Sequence, residues 1–514
     1  TLSWGKKFND AHDVKVLAGY SFESDDKTEF SAKVEGFLGN ELHELNAGSS
    51  NPSVAGTSSR SVLMSYFGRV NYGYKDRYLF EGNFRYDGSS RFAKGNRWGI
   101  FPSFSAGWRL SEEEFMKDIP WIYNLKLRAS WGQLGNERID LFRYVDLMNL
   151  KVIKNDGSIT DYNYPLNGAM QSGAAITAYN DPNITWETTT MTNVGIDASL
   201  LNGNLDFSFE FFDKRTSDIL RKVTLPDQVG GLDGPIRNIG EVSNKGFELN
   251  LAYRNNIGDF RYEVNGNMTF IKNKIESLKG QTIIDGMFIL EEGKPIDSFY
   301  MLHAIGIFQS EEEIKNSPYQ TAATKPGYLK FEDVNGDGKI TEDDRKICGG
   351  VIPKITYGFN INLGYKNFDL AAFFQGVTDV NTYGDMIGAT PLWFGCGLPE
   401  KWVTDAWTPE RGTSATLPIL TTYEGCLNEN FRTNDFWLRN SSYLRLKNLQ
   451  LSYNVPASFL KNGVIKRLKI FANAQNLFTF SPMKDFDPEK DLKANTFYAY
   501  PSVRTYTAGV NVTF

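Results

Sequence analysis

The last ten residues, Thr505-Tyr-Thr-Ala-Gly-Val-Asn-Val-Thr-Phe514, decide how the chain is to be read. Tyr506, Ala508, Val510, Val512 and Phe514 alternate with Thr505, Thr507, Gly509, Asn511 and Thr513. Successive side chains of a strand point to opposite faces, so this stretch is a strand with one apolar face and one small, polar face. The same period returns in Tyr357, Phe359, Ile361, Leu363 and Tyr365, set against Gly358, Asn360, Asn362 and Gly364. It returns again in Tyr262, Val264, Gly266, Met268 and Phe270, set against Glu263, Asn265, Asn267 and Thr269. A soluble β-sandwich alternates in the same way, so the connections have to separate the two architectures.

Those connections are unequal. Tight links occur near Asn9–His12, Gly73–Arg77, Leu201–Asn204, Asn256–Asp259 and Tyr365–Asn367. Between them lie polar, Gly/Asn/Ser-rich excursions at Asp25–Arg60, Gln133–Glu187, Ser217–Asn244, Glu276–Ile352 and Thr378–Ser442. Short turns at one end and long loops at the other are the pattern of outer-membrane barrels, whereas structureless loops of that length are unexpected in a compact soluble domain. Fifteen strands are predicted, at 1–8, 13–24, 61–72, 78–87, 99–110, 124–132, 188–200, 204–216, 245–255, 260–274, 354–364, 369–377, 443–454, 467–478 and 504–514. Bacterial barrels have an even strand number, and an open edge in lipid strands backbone hydrogen-bonding groups. The expectation is therefore an all-β transmembrane antiparallel barrel whose C-terminal part is 1–514, with an odd number of strands before Thr1. Residues 275–352 and 378–442 are read as long outer loops. A candidate strand at Ser298–Phe308 is expected to pair inside its loop with Tyr328–Glu332. Tyr72, Tyr74, Tyr78, Phe80, Trp98, Phe101 and Trp108, near strand ends, are expected to form interfacial girdles.

Composition agrees. Phe, Tyr and Trp make up 14% of the 514 residues while mean hydropathy is −0.38. Glycine, at 47 residues, exceeds the usual ~7%. No run approaches the ~18 to 20 apolar residues of a transmembrane helix. A net charge of −6 disfavours nucleic-acid binding. The histidines (His12, His43, His303) and cysteines (Cys348, Cys396, Cys426) are dispersed, and neither a GxSxG elbow nor a phosphate loop occurs. No enzyme is read from this sequence. The chain opens inside a strand-like pattern with no initiator Met or signal peptide, and reads as a piece of something longer.

The sharpest local motif is Asp333-Val-Asn-Gly-Asp-Gly-Lys-Ile-Thr-Glu-Asp-Asp344. Its spacing matches D-x-[DN]-x-[DN]-G with an acid at position twelve. Side-chain oxygens of Asp333, Asn335 and Asp337, the carbonyl of Lys339, Thr341 and the carboxylate of Asp344 are the candidate ligands of a hard cation, with Gly338 at the sharp turn. Asp344 is shorter than the usual Glu. Ca²⁺ is favoured over Mg²⁺ by ligand number, as a structural ion bracing the loop; a solvated turn without metal is the alternative. Upstream, Ser310-Glu-Glu-Glu313 resembles a capping box opening a short helix.

Tyr66-Phe-Gly-Arg-Val-Asn-Tyr72, Gly88-Ser-Ser-Arg-Phe92, Asn96-Arg-Trp-Gly-Ile-Phe-Pro102 and Gly107-Trp-Arg-Leu-Ser-Glu112 resemble the SusC/RagA family of TonB-dependent outer-membrane transporters of Bacteroidetes. Leu127-Arg-Ala-Ser-Trp-Gly132, the 333–344 loop, Trp407-Thr-Pro-Glu410, Tyr443-Leu-Arg-Leu-Lys-Asn448 and Asn473-Ala-Gln-Asn-Leu-Phe478 fit as well. The resemblance implies a 22-stranded barrel around an N-terminal plug, of which this chain would supply strands 8 to 22, in the outer membrane of a Gram-negative bacterium. It implies active import of a nutrient, most often an oligosaccharide or other glycan and sometimes a peptide, as part of polysaccharide utilisation. It also implies a SusD-like surface lipoprotein as lid, TonB engaged through a part absent here, and a place for dimers of transporter–lipoprotein pairs. A passive porin and a surface glycan-binding protein are the rivals.

Trp393, Phe394, Trp402 and Trp407 lie in one outer loop, where flat aromatic faces could stack on sugar rings; loop packing is the alternative reading. Cys396 and Cys426 share that loop, so a disulfide is open to them in an oxidising location. Tyr506, Val510, Val512 and the terminal Phe514 resemble the signal by which outer-membrane barrels are recognised for assembly.

Overall fold

The computed structural model describes residues 1–514 apart from 147, 150, 154–158, 162, 177–178, 224–233, 385–396, 422–428, 461–462, 485 and 494–499. Among the described residues, fifteen strands follow one another in chain order in one sheet. They are β1 (Leu2–Phe8), β2 (His12–Glu35), β3 (Ser50–Tyr74), β4 (Tyr78–Ser89), β5 (Trp98–Arg109), β6 (Ile122–Asn136), β7 (Glu187–Leu200) and β8 (Leu205–Lys222). Then come β9 (Ile236–Ile257), β10 (Phe260–Ser277), β11 (Ile355–Tyr365), β12 (Phe368–Thr378), β13 (Tyr443–Asn454), β14 (Arg467–Phe480) and β15 (Thr505–Thr513). Each coincides with a predicted strand. The tight links are tight because their central residues adopt left-handed backbone: φ is 49° and 50° at Asn9 and Asp10, and 50° and 55° at Lys75 and Asp76. Two such residues in succession match the right-handed twist of the flanking strands.

The chain divides into two compact units. In the first (Thr1–Arg109, Arg128–Asn193 and Lys214–Glu241), β1 to β5 pair antiparallel in continuous register. One face carries Trp4, Val16, Val70 and Phe104, all exposed and apolar. Phe8, His12, Tyr74, Tyr78 and Trp108 lie opposite one another across all five strands at its lower edge. Tyr20, Tyr66, Tyr86 and Ile100 form the corresponding upper row. From Tyr66 to Tyr74 is roughly 26 Å along the strand at ~3.3 Å per residue. A tilt of ~40° reduces this to about 20 Å, close to the ~25 Å apolar band of a barrel. The opposite face is polar: Arg69 bonds Asn83 at 2.6 Å, Asn71 bonds Glu81 at 3.0 Å and Arg85 bonds Asp87 at 2.9 Å.

Phe101 corrects the girdle expectation. It belongs to the polar face, opposite Arg85, and packs edge-on against Trp186 in a buried cluster with Phe92, Ile139 and Ile184. Its ring occupies the space a side chain on Gly135 would need, 2.1 Å from where a Cβ would stand. A second correction concerns Asp25–Arg60. Most of this excursion is hairpin, because β2 and β3 stay paired from His12↔Tyr74 as far as Glu35↔Ser50. Phe30, Ala32, Val34 and Val54 share one face of that extension, but they are interspersed with Asp, Thr, Ser and Gly, so the hydrophobic contrast that marks the wall is weak there. Cross-strand contacts such as Arg60–Asp26 and Thr28–Ser58 line it instead.

In the second unit (Leu110–Leu127, Val194–Asp213 and Val242–Phe514), β10 to β15 repeat the design. Phe260, Tyr365, Phe368 and Tyr453 stand opposite one another as its lower aromatic row. Tyr506, Val510 and Val512 lie on the same face as their partners Ala474, Ile470 and Leu468 and are exposed there, as is Phe514 just past the strand. The 275–352 segment folds on itself as expected, with different partners. Ser298–Met301 pairs with Lys346–Gly350 and Phe288–Leu290, and only Ala304–Ile307 pairs with Leu329–Phe331. The short helix α1 (Glu311–Lys315) opens at Ser310, which accepts the Glu313 N–H at 3.2 Å. The returning Glu313 carboxylate takes the N–H of Gln309 at 2.8 Å rather than that of Ser310.

Candidate functional site

Within the second unit, the face of the sheet opposite the apolar one is a wall of amides. Asn265 pairs with Asn360 at 2.8 Å and Asn448 with Asn473 at 2.7 Å, while Asn362, Gln450 and Asn267 occupy neighbouring positions. These groups both donate and accept. Nearer the short turns, Arg261 reaches Asp369 at 2.9 Å and Asn454 donates to the same carboxylate at 2.7 Å. A cleft of about 640 Å³ opens along this wall, lined by Arg254, Arg261, Glu263, Asn362, Gln450 and Lys469 among others.

At the opposite end of the strands, the outer loops are packed around a core of their own. Phe299, Met301, Val351, Tyr383, Trp402, Ala406, Leu417 and Trp437 form one buried cluster. Leu302, Leu329, Phe331 and Ile340 form another, with Phe436 against it. Two of the four proposed sugar platforms belong to this interior. Trp402 stacks near Trp437 within the cluster, and Trp407 is buried with its indole N–H donated to Gln309 at 3.0 Å. Neither offers an open face, because a long loop that carries large rings must bury them somewhere. Trp393, Phe394, Cys396 and Cys426 lie outside the described residues. Cys348 is a free thiol pushed up to about 12, first by burial and then by the charge of Asp435, so it stays protonated.

The 333–344 loop takes the turn its glycines allow, with φ of +76° at Gly336 and +80° at Gly338. Asp333 accepts the N–H groups of Gly336 at 2.7 Å and Gly338 at 2.9 Å. Asn335 and Asp337 each accept the N–H two residues on, at 2.9 and 2.8 Å. Asp344 is fully buried and takes three N–H bonds, from Val334, Asn335 and Thr341. A parallel bridge to Tyr319 uses the Gly338 carbonyl and the Ile340 N–H, leaving the Lys339 carbonyl outside it. Among the described residues no three acidic, His or Cys side chains are gathered at ligating distance. The oxygens of Asp333, Asn335 and Asp337 that accept one backbone N–H each, and Oδ2 of Asp344, keep a lone pair that suits a hard cation, whereas Oδ1 of Asp344 is already taken by two N–H groups.

A cluster that the sequence reading missed sits at the outer end of β13. Arg445, only 3% exposed, donates to Asp487 and Glu489 at 2.5 Å each and to Thr479 at 2.8 Å. Lys447 and the Tyr443 hydroxyl also donate to Glu489, at 2.7 and 2.6 Å. Burial opposes the charge on Asp487, but the Arg445 hydrogen bond and the N–H groups of Glu489 and Ser502 outweigh it and hold this carboxyl down at about 2. The signal available was two cations at alternate positions among the leucines of Tyr443–Asn448. Their partners lie some forty residues on and could not be matched by spacing.

An apolar belt bounded by aromatic rows, a polar inner face, short turns at one end and packed loops at the other define a transmembrane β-barrel wall. The chain belongs to the TonB dependent receptor-like, beta-barrel family, whose model matches residues 3–477, and it is an outer-membrane protein. It is 32% identical over its full length to TonB-dependent receptor P3 of Formosa agariphila, covering 52% of that protein. It is 31% identical over 89% of its length to TonB-dependent receptor SusC of Bacteroides thetaiotaomicron, covering 44% of it. The chain thus spans about half the length of the curated relatives it matches. In fold it resembles the RagAB peptide importer in its open-open state, with a TM-score of 0.83 at 23% identity, over all of this chain and 54% of that one.

Proposed function

We propose that this chain forms the wall and outer loops of a SusC-like, TonB-dependent importer that carries an oligosaccharide across the outer membrane beneath a SusD-like surface lipoprotein. The observation that carries the reading is the similarity to TonB-dependent receptors, over the whole of this chain for P3 and 89% of it for SusC. The substrate class rests on the amide wall: Asn265, Asn360, Asn448 and Asn473 offer donors and acceptors without net charge, which suits hydroxyl-rich ligands. TonB would act through the half of the relatives' length that this chain does not span. Oligopeptide uptake is the second reading, because the RagAB structures are described as those of a peptide importer.

The test is growth of a gene deletion, a TonB-deficient strain and their parent on defined oligosaccharides and on peptide mixtures. Loss of growth on at least one oligosaccharide in both mutants is expected. Loss on peptides alone would replace the substrate class, and uptake that survives TonB loss would revive the passive porin. A tagged pull-down from detergent-solubilised outer membranes is expected to bring down a stoichiometric lipoprotein.

Two further roles belong to this reading. Asp333, Asn335, Asp337, the Lys339 carbonyl, Thr341 and Asp344 would hold a structural Ca²⁺, which would neutralise the loop's crowded carboxylates. Tyr506, Val510, Val512 and Phe514 would present the assembly signal, so that Phe514→Ala lowers the folded amount in the outer membrane.

A further inference from the structure

Residues 487–493, in the connection after β14, run between two parts of the second unit and bind them alternately. Asp487 and Glu489 turn to the wall, where Arg445, Lys447 and Tyr443 of β13 hold them. Pro488, Lys490 and Leu492 are held on the other side. The Pro488 carbonyl accepts from Ser441 at 2.9 Å, Lys490 donates to the Tyr383 carbonyl at 3.1 Å, and the Leu492 carbonyl accepts from Thr382 at 3.2 Å. Leu492 also packs on the loop core, and Lys493 pairs with Asp297 of the 275–352 loop. The segment is turned rather than extended: the Lys490 N–H bonds the Asp487 carbonyl at 3.3 Å and the Glu489 N–H bonds the Asp487 carboxylate at 3.0 Å, so successive residues of the turn face different partners.

We propose that residues 487–493 are a strap that fastens the outer-loop body to the barrel wall, that Arg445 is its clasp, and that undoing the clasp opens the wall around Tyr443–Lys447 to the outside. The clasp has the properties of a fastener rather than of a surface ion pair. Its guanidinium is buried and donates to two carboxylates and to the Thr479 hydroxyl, all charge-assisted bonds. Two cations, Arg445 and Lys447, meet two carboxylates, Asp487 and Glu489, so the closed state is locally neutral. Removing Arg445 takes from Asp487 and Glu489 the one side chain they share, leaving Glu489 to Lys447 and the Tyr443 hydroxyl, while on the loop side the strap is held through Ser441, Thr382, the Lys490 ammonium and the Lys493–Asp297 pair. This inference goes beyond the import reading and needs no knowledge of the ligand.

Ser441 is fully buried under the strap, so a cysteine there reports whether the strap is down. The whole protein carrying Ser441→Cys is treated in intact cells with a membrane-impermeant maleimide, and labelling of the peptide containing position 441 is followed by mass spectrometry. Slow labelling is expected, against fast labelling of Tyr319→Cys, which is 58% exposed. Adding Arg445→Met should accelerate labelling at 441 at least tenfold, and Arg445→Lys should restore part of the protection. The double change Asp487→Asn with Glu489→Gln, which leaves the wall intact, should accelerate it as Arg445→Met does and decides the matter if that variant fails to fold. Equal rates in all the variants, in protein that still shows heat-modifiable gel mobility, would overturn the proposal. So would labelling at 441 as fast as at 319 without further change.

Discussion

Trp108 and Trp437 are the same residue put to opposite uses. Trp108 ends β5 at 37% exposure, stacked on Tyr78 in the lower aromatic row. Trp437 is 1% exposed, stacked on Phe431 with Phe436 edge-on and its indole N–H donated to the Asn430 carbonyl at 2.7 Å. The wall turns its apolar side chains outward because lipid is the solvent on that side, and its backbone bonds close strand to strand. The outer loops meet water on their outer side, so they must make an interior of their own from residues scattered between Phe299 and Trp437. Stability in the wall therefore depends on which face a residue occupies, whereas in the loops it depends on volume filled.

The largest effect separates the two directly. Trp437→Ala empties the centre of the loop core and should cost about 3–5 kcal/mol there. Thermolysin added to intact cells should then cut the 275–352 and 378–442 segments rapidly while heat-modifiable mobility of the barrel persists. Loss of that mobility would mean that loops and wall fold as one cooperative unit. Next comes the wall. Phe104 lies on the apolar face opposite Gly82, and Ser103 lies on the polar face opposite Asn83. Phe104→Arg should cost ~2–4 kcal/mol near the bilayer midplane, and Ser103→Arg should cost within ~1 kcal/mol. Urea unfolding in liposomes measures both, and equal penalties would contradict the assignment of faces.

The same contrast explains what was readable in advance. Every wall strand was legible because period-2 alternation is a local property, visible within eight or ten residues. Phe101 was misplaced because aromatic content near a strand end does not state which face the ring is on; its parity with Pro102 and Ser103 did. The continuation of β2 and β3 was missed because Phe30, Ala32, Val34 and Val54 give only a short, interrupted alternation among polar residues. The loop core was not legible either. Phe299, Trp402, Leu417 and Trp437 follow no common period, and what unites them is long-range packing. Within the loops, the short features did announce themselves: the helix opening at Ser310 and the 333–344 turn, because a capping residue, glycine at a left-handed position and spaced carboxylates are again local signals.

That turn supplies the third effect. If the loop holds Ca²⁺, a hundredfold excess over the dissociation constant stabilises the loop body by ~2.7 kcal/mol, and chelation removes it. Proteolytic half-life of the outer loops should therefore rise with added Ca²⁺, and Asp333→Ala should abolish the response without altering heat-modifiable mobility. A half-life indifferent to Ca²⁺ and chelator would leave the turn as a metal-free knot held by its own N–H bonds.

The smallest effect lies where the two regions meet in the strap. Asp487 titrates at about 2 in the folded protein, below the ~3.9 of an unperturbed aspartate. A depressed folded value means that its contribution is complete above the unfolded value and disappears as pH falls through the folded one. Asp487→Asn should accordingly weaken the strap by a constant amount from pH 8 down to about pH 5. The difference from the parent should then shrink between about pH 4 and pH 2, where the parent's own carboxyl is neutralised. Pepsin works throughout that window, so its rate of cutting in the outer loops can be followed in both proteins. Convergence of the two rates towards pH 2 is the expected result. A gap that stays constant down to pH 2 would show that Asp487 acts through shape alone, and that Glu489 and Lys447 carry the charge of the clasp.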